Sequence, residues 1–176
     1  MTGSIPLNKR KYDYFFIVAF CAFTCTSIIT DTVNGLNAQL DPNSSWAVER
    51  FIYTTYAAKA DPLLIVNPPQ VRVSAFISAF VWLPMYVFFI VGFIKGNNNI
   101  RVPGLVYGGA LTHGMITYMA EGMFGQVARE GWKALPGCVQ PDTMHYFWVN
   151  LPYLLLPALM IIRMWKPAPF GQPQTA

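Results

Sequence analysis

Three carboxylates stand where long uncharged stretches end or turn, and they have the most to offer chemistry in this sequence. Asp31 closes the run from Tyr14 to Thr30, Asp61 opens the string Asp61-Pro-Leu-Leu, and Glu121 follows the run 102–120. A carboxylate at the C-terminal end of a helix opposes the dipole, so Asp31 is unfavourably placed unless something compensates. Either it reaches interfacial water, or it lines a cavity and pairs with a cation or hydroxyl of a ligand. Asp61 followed by Pro62 fits a helix N-cap with proline at the first helical position, a structural role that needs no ligand. Yet Leu63-Leu64-Ile65-Val66 is too apolar for a surface loop and is broken again by Asn67-Pro68-Pro69, so the segment is expected to fold back and line the mouth of a bundle. Glu121 reads as an exposed helix-end residue or as a third acid at that mouth, where three carboxylates share a proton or hold a cation.

Other chemistries are poorly supplied. His113 is expected to be a hydrogen-bonded interior residue, because the other histidine is His145 and no carboxylate stands at ligand spacing. Neither a metal nor a cofactor is expected. No Ser/His/Asp set, glycine-rich phosphate loop or Cys-x-x-Cys motif is present, and Cys21, Cys25 and Cys138 make an odd count without a disulfide framework. The net charge of +4 comes from basic residues scattered singly apart from Lys9-Arg10-Lys11, which suits membrane topology and excludes a nucleic-acid surface.

The elements that must position these acids follow from composition. With 54% hydrophobic and 11% charged residues in 176, the chain is far more apolar than soluble domains, in which about a quarter is charged. Four uncharged runs, 14–30, 73–94, 102–120 and 143–162, are each long enough to cross a ~30 Å hydrocarbon core as a helix. Backbone groups in lipid must be satisfied within the segment, which leaves helix rather than strand. The expectation is an all-α, polytopic membrane protein: a four-transmembrane-helix bundle with a long loop between helices 1 and 2. The first run exceeds the usual 7–15-residue signal core and no small-x-small site follows, so it is read as a retained anchor.

Lys9–Lys11, Lys95 with Arg101, and Arg163 with Lys166 fall on one side, which the positive-inside rule assigns to the cytosol, matrix or stroma together with both termini. Lys95 to Arg101 is a short breaker-rich turn, and Pro103 suits the first turn of the next helix, so runs two and three form a hairpin. Within the connection 33–72, residues 44–59 read as an amphipathic helix on the membrane, with Trp46, Phe51, Tyr53 and Tyr56 at the interface. Pro84, Pro152 and Pro157 interrupt backbone hydrogen bonding inside the runs, and Gly104, Gly108, Gly109 and Gly114 give run three a small-residue face, packed within the bundle or used as a dimer seam. The organisation expected is an inside arm 1–13, a membrane domain 14–165 and a proline-rich extended tail 166–176, for which a neighbouring subunit is one candidate holder.

The strings Tyr56-Ala-Ala-Lys-Ala-Asp61-Pro-Leu-Leu, Pro68-Pro69, Trp82-Leu-Pro84, Lys95-Gly96, Arg101-Val-Pro103 and Pro152-Tyr-Leu-Leu-Leu-Pro157 resemble the EXPERA superfamily of emopamil-binding proteins, most closely its sigma-2 receptor branch, over about residues 14–165. The resemblance implies four helices around a sterol-sized cavity opening to the bilayer, usually in the endoplasmic reticulum and often as a homodimer. It implies that Asp31 meets a ligand amine and that Asp61 is the second aspartate of that pocket. Where the receptor branch has a glutamate in its second helix this chain has Ser78, and no acid occurs between Asp61 and Glu121. Sterol isomerases need paired acid and base groups, so isomerase activity is not expected.

The reading is therefore a membrane protein that binds a sterol or similar lipid among Asp31, Asp61, Trp82, Tyr86, Tyr107, His113, Glu121 and Tyr153. The alternative is an accessory subunit of a respiratory or photosynthetic complex, in the mitochondrial inner or another organellar membrane.

Overall fold

The computed structural model describes residues 4–37, 40–124 and 142–171. Cys138, Arg129, Glu130 and Lys133 lie outside the described residues, as does the end of the tail.

All regular structure among the described residues is helical. Helix α1 covers Lys11–Gly35, α2 runs through 47–60, α3 covers Pro62–Val66, α4 Pro69–Lys95, α5 Arg101–Phe124 and α6 Thr143–Met164. Helices α1, α4 and α6 are long and apolar enough to cross a membrane. The shortest of these has 22 residues, which at ~1.5 Å per residue covers a ~30 Å hydrocarbon core. Val18, Phe80, Val87, Phe88, Val91, Ile94, Leu159 and Ile162 point outward. Such a coat is a liability in water and the natural surface in lipid, so the chain is an integral membrane protein. Helix α5 interleaves glycine, threonine, histidine and tyrosine with its apolar residues.

The long helices associate in pairs, α1 along α4 and α5 along α6. Glycine permits the second pairing: a Cβ on Gly104 would stand 2.7 Å from Met160 Cε and one on Gly108 2.8 Å from the Pro157 carbonyl oxygen. Those two glycines therefore face the bundle interior, whereas Gly109 and Gly114 have open space around them. At the other end a Cβ on Gly35 would lie 2.8 Å from Phe76 Cα, so α1 ends pressed on the backbone of α4. Rings join the two pairs: Phe20 meets Tyr107 at 5.7 Å and Phe23 stacks on Tyr153 at 4.3 Å.

The three basic segments come together at one end of the bundle. Asp13, 1% exposed, is salt-bridged to Arg10 and to Arg163, the latter at 2.7 Å. The tail was expected to need a holder, and its described part is held by its own chain. Phe170 is fully buried, with the Arg10 and Arg163 guanidinium groups 4.9 and 4.7 Å from its ring centroid. The Ile5 N–H donates to the Phe170 carbonyl at 2.9 Å and the Phe170 N–H donates to Asn98 Oδ1 at 3.1 Å. This end is a clamp that fixes the helices relative to one another.

Toward the opposite end three helices widen. Ser27–Asp31 in α1, Tyr53–Ala57 in α2 and Ser78–Trp82 in α4 are π-turns. A π-turn adds a residue to the helical turn and re-aims the side chains that follow, at the expense of hydrogen-bond geometry. All three carry the polar residues described next.

Candidate functional site

Asp31 ends the π-turn of α1, and that turn brings Ser27 over it. Ser27 Oγ donates to Asp31 Oδ2 at 2.7 Å, and Ser78 Oγ, from the π-turn of α4, donates to the same oxygen at 2.6 Å. The two serine oxygens are 3.0 Å apart, closing a three-member cluster between α1 and α4. Ser27 is buried and the rest of the cluster partly so. Among the described residues no lysine or arginine forms a salt bridge with Asp31. A carboxylate held only by hydroxyls in a low-dielectric setting retains its attraction for a cation or a further hydrogen-bond donor.

Aromatic side chains build the wall beside it. Trp82 meets Tyr107 edge-on at 5.4 Å, Tyr86 meets Tyr107 at 5.7 Å, and Tyr153 lies on Phe23. Tyr86 and Tyr107 are buried, with their hydroxyls beside each other. Asp31, Trp82, Tyr86, Tyr107 and Tyr153, five of the residues expected to share a pocket, are thus gathered where the helix pairs meet.

Asp61 belongs to a second cluster. Its Oδ1 accepts from the Leu63 N–H at 3.2 Å, the N-cap foreseen for α3. Its Oδ2 is used as well, accepting from Tyr118 Oη at 2.8 Å and Tyr56 Oη at 3.0 Å. Asn150 of α6 donates to Tyr56 Oη at 2.7 Å, and Tyr146 Oη donates to the Tyr118 carbonyl at 2.9 Å. The carboxylate therefore ties α2 and α3 to α5 and α6. Burial pushes the Asp61 carboxyl up from 3.8 to about 6, although Tyr118, Tyr56 and the Leu63 amide all pull it down. Burial first and the field of Asp61 second push the Tyr56 phenol upward, so it stays a donor.

Several placements differ from expectation. Tyr56 does not sit at the interface with Trp46 and Phe51, which are exposed; the π-turn of α2 turns its hydroxyl inward. His113 is not interior but exposed on α5. Six residues carry a helix about 240° past a full turn, so His113 cannot share a face with inward-pointing Tyr107. Glu121 is half-buried and lines a cleft with Tyr118 and Gly114, apart from the Asp31 cluster. Asp31 and Asp61 share no hydrogen-bond partner among the described residues, so the single chamber of acids resolves into two neighbouring clusters.

Ser27, Ser78, Tyr56, Tyr118 and Asn150 carry much of this geometry and were not foreseen as site residues. The Ser27 to Asp31 spacing of four was a readable signal. Residues 46–164 match the family described as EXPERA (EXPanded EBP superfamily). No curated protein matches the sequence.

Proposed function

The chain belongs to the EXPERA superfamily, a sterol-related membrane family, and from that premise and the Asp31 geometry we propose that it binds a sterol-like or cationic amphiphile between its two helix pairs. Helix α5 is the fourth span, with Tyr107 and Tyr118 turned toward the two clusters. The observation that carries the reading is Asp31 itself: a carboxylate between helices whose hydrogen-bond partners among the described residues are the hydroxyls of Ser27 and Ser78, with the buried Tyr86 and Tyr107 behind it. An ammonium or hydroxyl headgroup meets Asp31, while Trp82, Tyr86, Tyr107 and Tyr153 cover the fused rings or hydrocarbon body behind it.

The ligand is held rather than turned over. Double-bond migration needs a second acid or base beside the first, and among the described residues the groups that donate to Asp31 are two serine hydroxyls. Asp61 acts by fixing Tyr56 and Tyr118, while Glu121 serves the approach. The basic end faces the cytosol, and the resemblance of the sequence to the sigma-2 receptor branch favours the endoplasmic reticulum.

The test uses the full chain in lipid nanodiscs, with dehydroergosterol, a fluorescent sterol, and tritiated imipramine, a tertiary-amine amphiphile. Both are expected to bind, and Asp31→Asn is expected to weaken imipramine about tenfold or more while the protein remains monodisperse. Unchanged affinity in this variant removes the pocket assignment, and a wild-type protein that binds neither probe refutes the function.

One observation favours the second reading, an accessory subunit. Gly109 and His113 are exposed on α5, and a polar side chain facing lipid is costly. Migration with a large complex on a native gel after mild detergent supports that reading, and migration as a monomer or dimer removes it.

A further inference from the structure

Of the asparagines in the chain, Asn43 alone stands two residues before a serine or threonine, in Asn43-Ser44-Ser45, and the residue between is not proline. That is the acceptor triplet for N-linked glycan. The triplet is short enough to arise by chance, so its setting decides what it is worth.

The setting is a tight turn between α1 and α2. The Ser44 N–H donates to the Asp41 carbonyl at 3.2 Å, which leaves Pro42 and Asn43 at the tip. The Asn43 N–H donates to Asp41 Oδ1 at 2.8 Å and fixes the tip from within. Successive side chains then part. Ser44 turns inward, its hydroxyl donating to Glu49 and accepting from the Trp46 N–H at 3.1 Å. Asn43 and Ser45 are exposed, and among the described residues neither side chain makes a hydrogen bond. The amide and the hydroxyl that the triplet requires are both free, and the residue between them holds the loop. Buried Leu40 packs on Ala57 and Ile65 and anchors the base of the turn, so bulk added at the tip meets no core.

The turn is also on the side of the membrane where glycan is added. Helix α1 starts beside the basic clamp at Lys11 and ends at Gly35, which puts Asn43 across the membrane from Lys9, Lys11, Lys95 and Lys166. With the basic end in the cytosol, Asn43 faces the lumen. The eight residues from Gly35 to Asn43 reach up to about 26 Å while the chain is being made, which lifts the acceptor off the membrane surface.

We propose that Asn43 is an N-glycosylation site, modified in the lumen of the endoplasmic reticulum. This rests on the orientation and organelle proposed above and adds a covalent modification at the outer mouth. The glycan comes from an oligosaccharide carried on a polyprenyl pyrophosphate. Asn43 Nδ2 attacks the anomeric carbon of the first sugar, the bond from that carbon to the pyrophosphate oxygen breaks, and the polyprenyl pyrophosphate leaves with the electron pair. The amide gives up one proton, and the Ser45 hydroxyl serves recognition. A hydrated oligosaccharide does not enter lipid, so it fixes the loop on the lumenal side and holds α2 at the interface, where Trp46 and Phe51 are exposed. The membranes of the accessory-subunit reading do not meet this transferase, so the glycan also separates the two functions.

The test expresses the full chain with a C-terminal epitope tag in yeast and compares gel mobility before and after peptide N-glycosidase F. Wild type is expected to run one glycan slow and to fall to the unmodified position on treatment, with Asn43 converted to aspartate in the mass spectrum. Asn43→Gln and Ser45→Ala are expected to lose the step, and Ser45→Thr to keep it. Antibody access to the tag after selective permeabilisation of the plasma membrane, with cell fractionation, reads orientation and organelle in the same cells. A wild-type chain in the endoplasmic reticulum with a cytosolic tail and no mobility step overturns the glycosylation alone, as does a step that persists in Asn43→Gln. A chain in another membrane, or with its tail in the lumen, overturns the glycosylation together with the orientation or organelle on which it rests. Asn43→Gln in nanodiscs is expected to bind dehydroergosterol as wild type does, so the binding function stands or falls separately.

Discussion

Replacing Asp61 with asparagine should remove a pH dependence of stability that the wild-type protein carries. The carboxyl has a pKa of about 6 in the folded protein against 3.8 in its absence, because burial disfavours its charge more than three hydrogen bonds favour it. The folded state thus holds this proton more tightly, and its contribution to stability is greatest below pH 3.8 and declines as pH rises through about 6. At about 1.4 kcal/mol per pH unit the full decline is about 3 kcal/mol, of which about 2 kcal/mol falls between pH 4.5 and 7.5. Asparagine caps a helix as well as aspartate does, so the Leu63 contact survives while the titration disappears. The remaining groups are common to both proteins and cancel from the comparison. Thermal unfolding followed by tryptophan fluorescence in detergent, at pH 4.5 and 7.5, reads the effect. Wild type should lose roughly 4–8 °C more than Asp61→Asn between the two pH values, at about 2–4 °C per kcal/mol for this size. Identical pH slopes for the two proteins would refute the reasoning that Asp61 is buried against a cost.

Gly35→Ala should destabilise by about 1–3 kcal/mol, because the new methyl meets the Phe76 backbone, which has no rotamer to yield. Gly109→Ala, with open space, should be neutral or gain up to ~1 kcal/mol from helix propensity; equal effects in thermal unfolding contradict the packing of α1 on α4. Asp13→Asn should cost about 3–5 kcal/mol, since it leaves Arg10 and Arg163 without their shared carboxylate. Limited proteolysis should then cut the tail near Phe170, which the same arginines cover, and an intact tail at reduced stability contradicts the clamp.

Much of this architecture was legible because lipid leaves few choices. Runs without charge mark the long helices, and the breaker-rich Lys95–Arg101 stretch marks a turn, but the helices on either side of it pack on α1 and α6 rather than along each other as the expected hairpin would. Asp31 stood out because an acid at a helix C-terminus needs a reason, and the reason is a pair of serines. One of those, Ser78, was noticed only as the place where an acid was missing, and its hydroxyl instead donates to Asp31. The π-turns were not legible, because an extra residue in a turn is decided by packing against other helices rather than by local propensity. That hid the inward swing of Tyr56 and the alignment of Ser27 with Ser78. The phase of α5 was equally hidden: glycines at Gly104, Gly108, Gly109 and Gly114 cover more than one face, and only packing on Met160 and Pro157 decides that His113 turns outward. Asp13 closes the arm 1–13 and carries no sequence signal of its role, since its partner Arg163 lies 150 residues further along the chain.

The central claim is that an amphiphile sits between the helix pairs at Asp31, and photolabelling with a diazirine-bearing sterol in membranes tests it most directly. Labelling is predicted within Ser78 to Tyr86 and at Tyr107, suppressed by excess imipramine and lost in Asp31→Asn. Labelling confined to outward residues such as Phe88, Val91 and Ile94, and indifferent to imipramine, would contradict it.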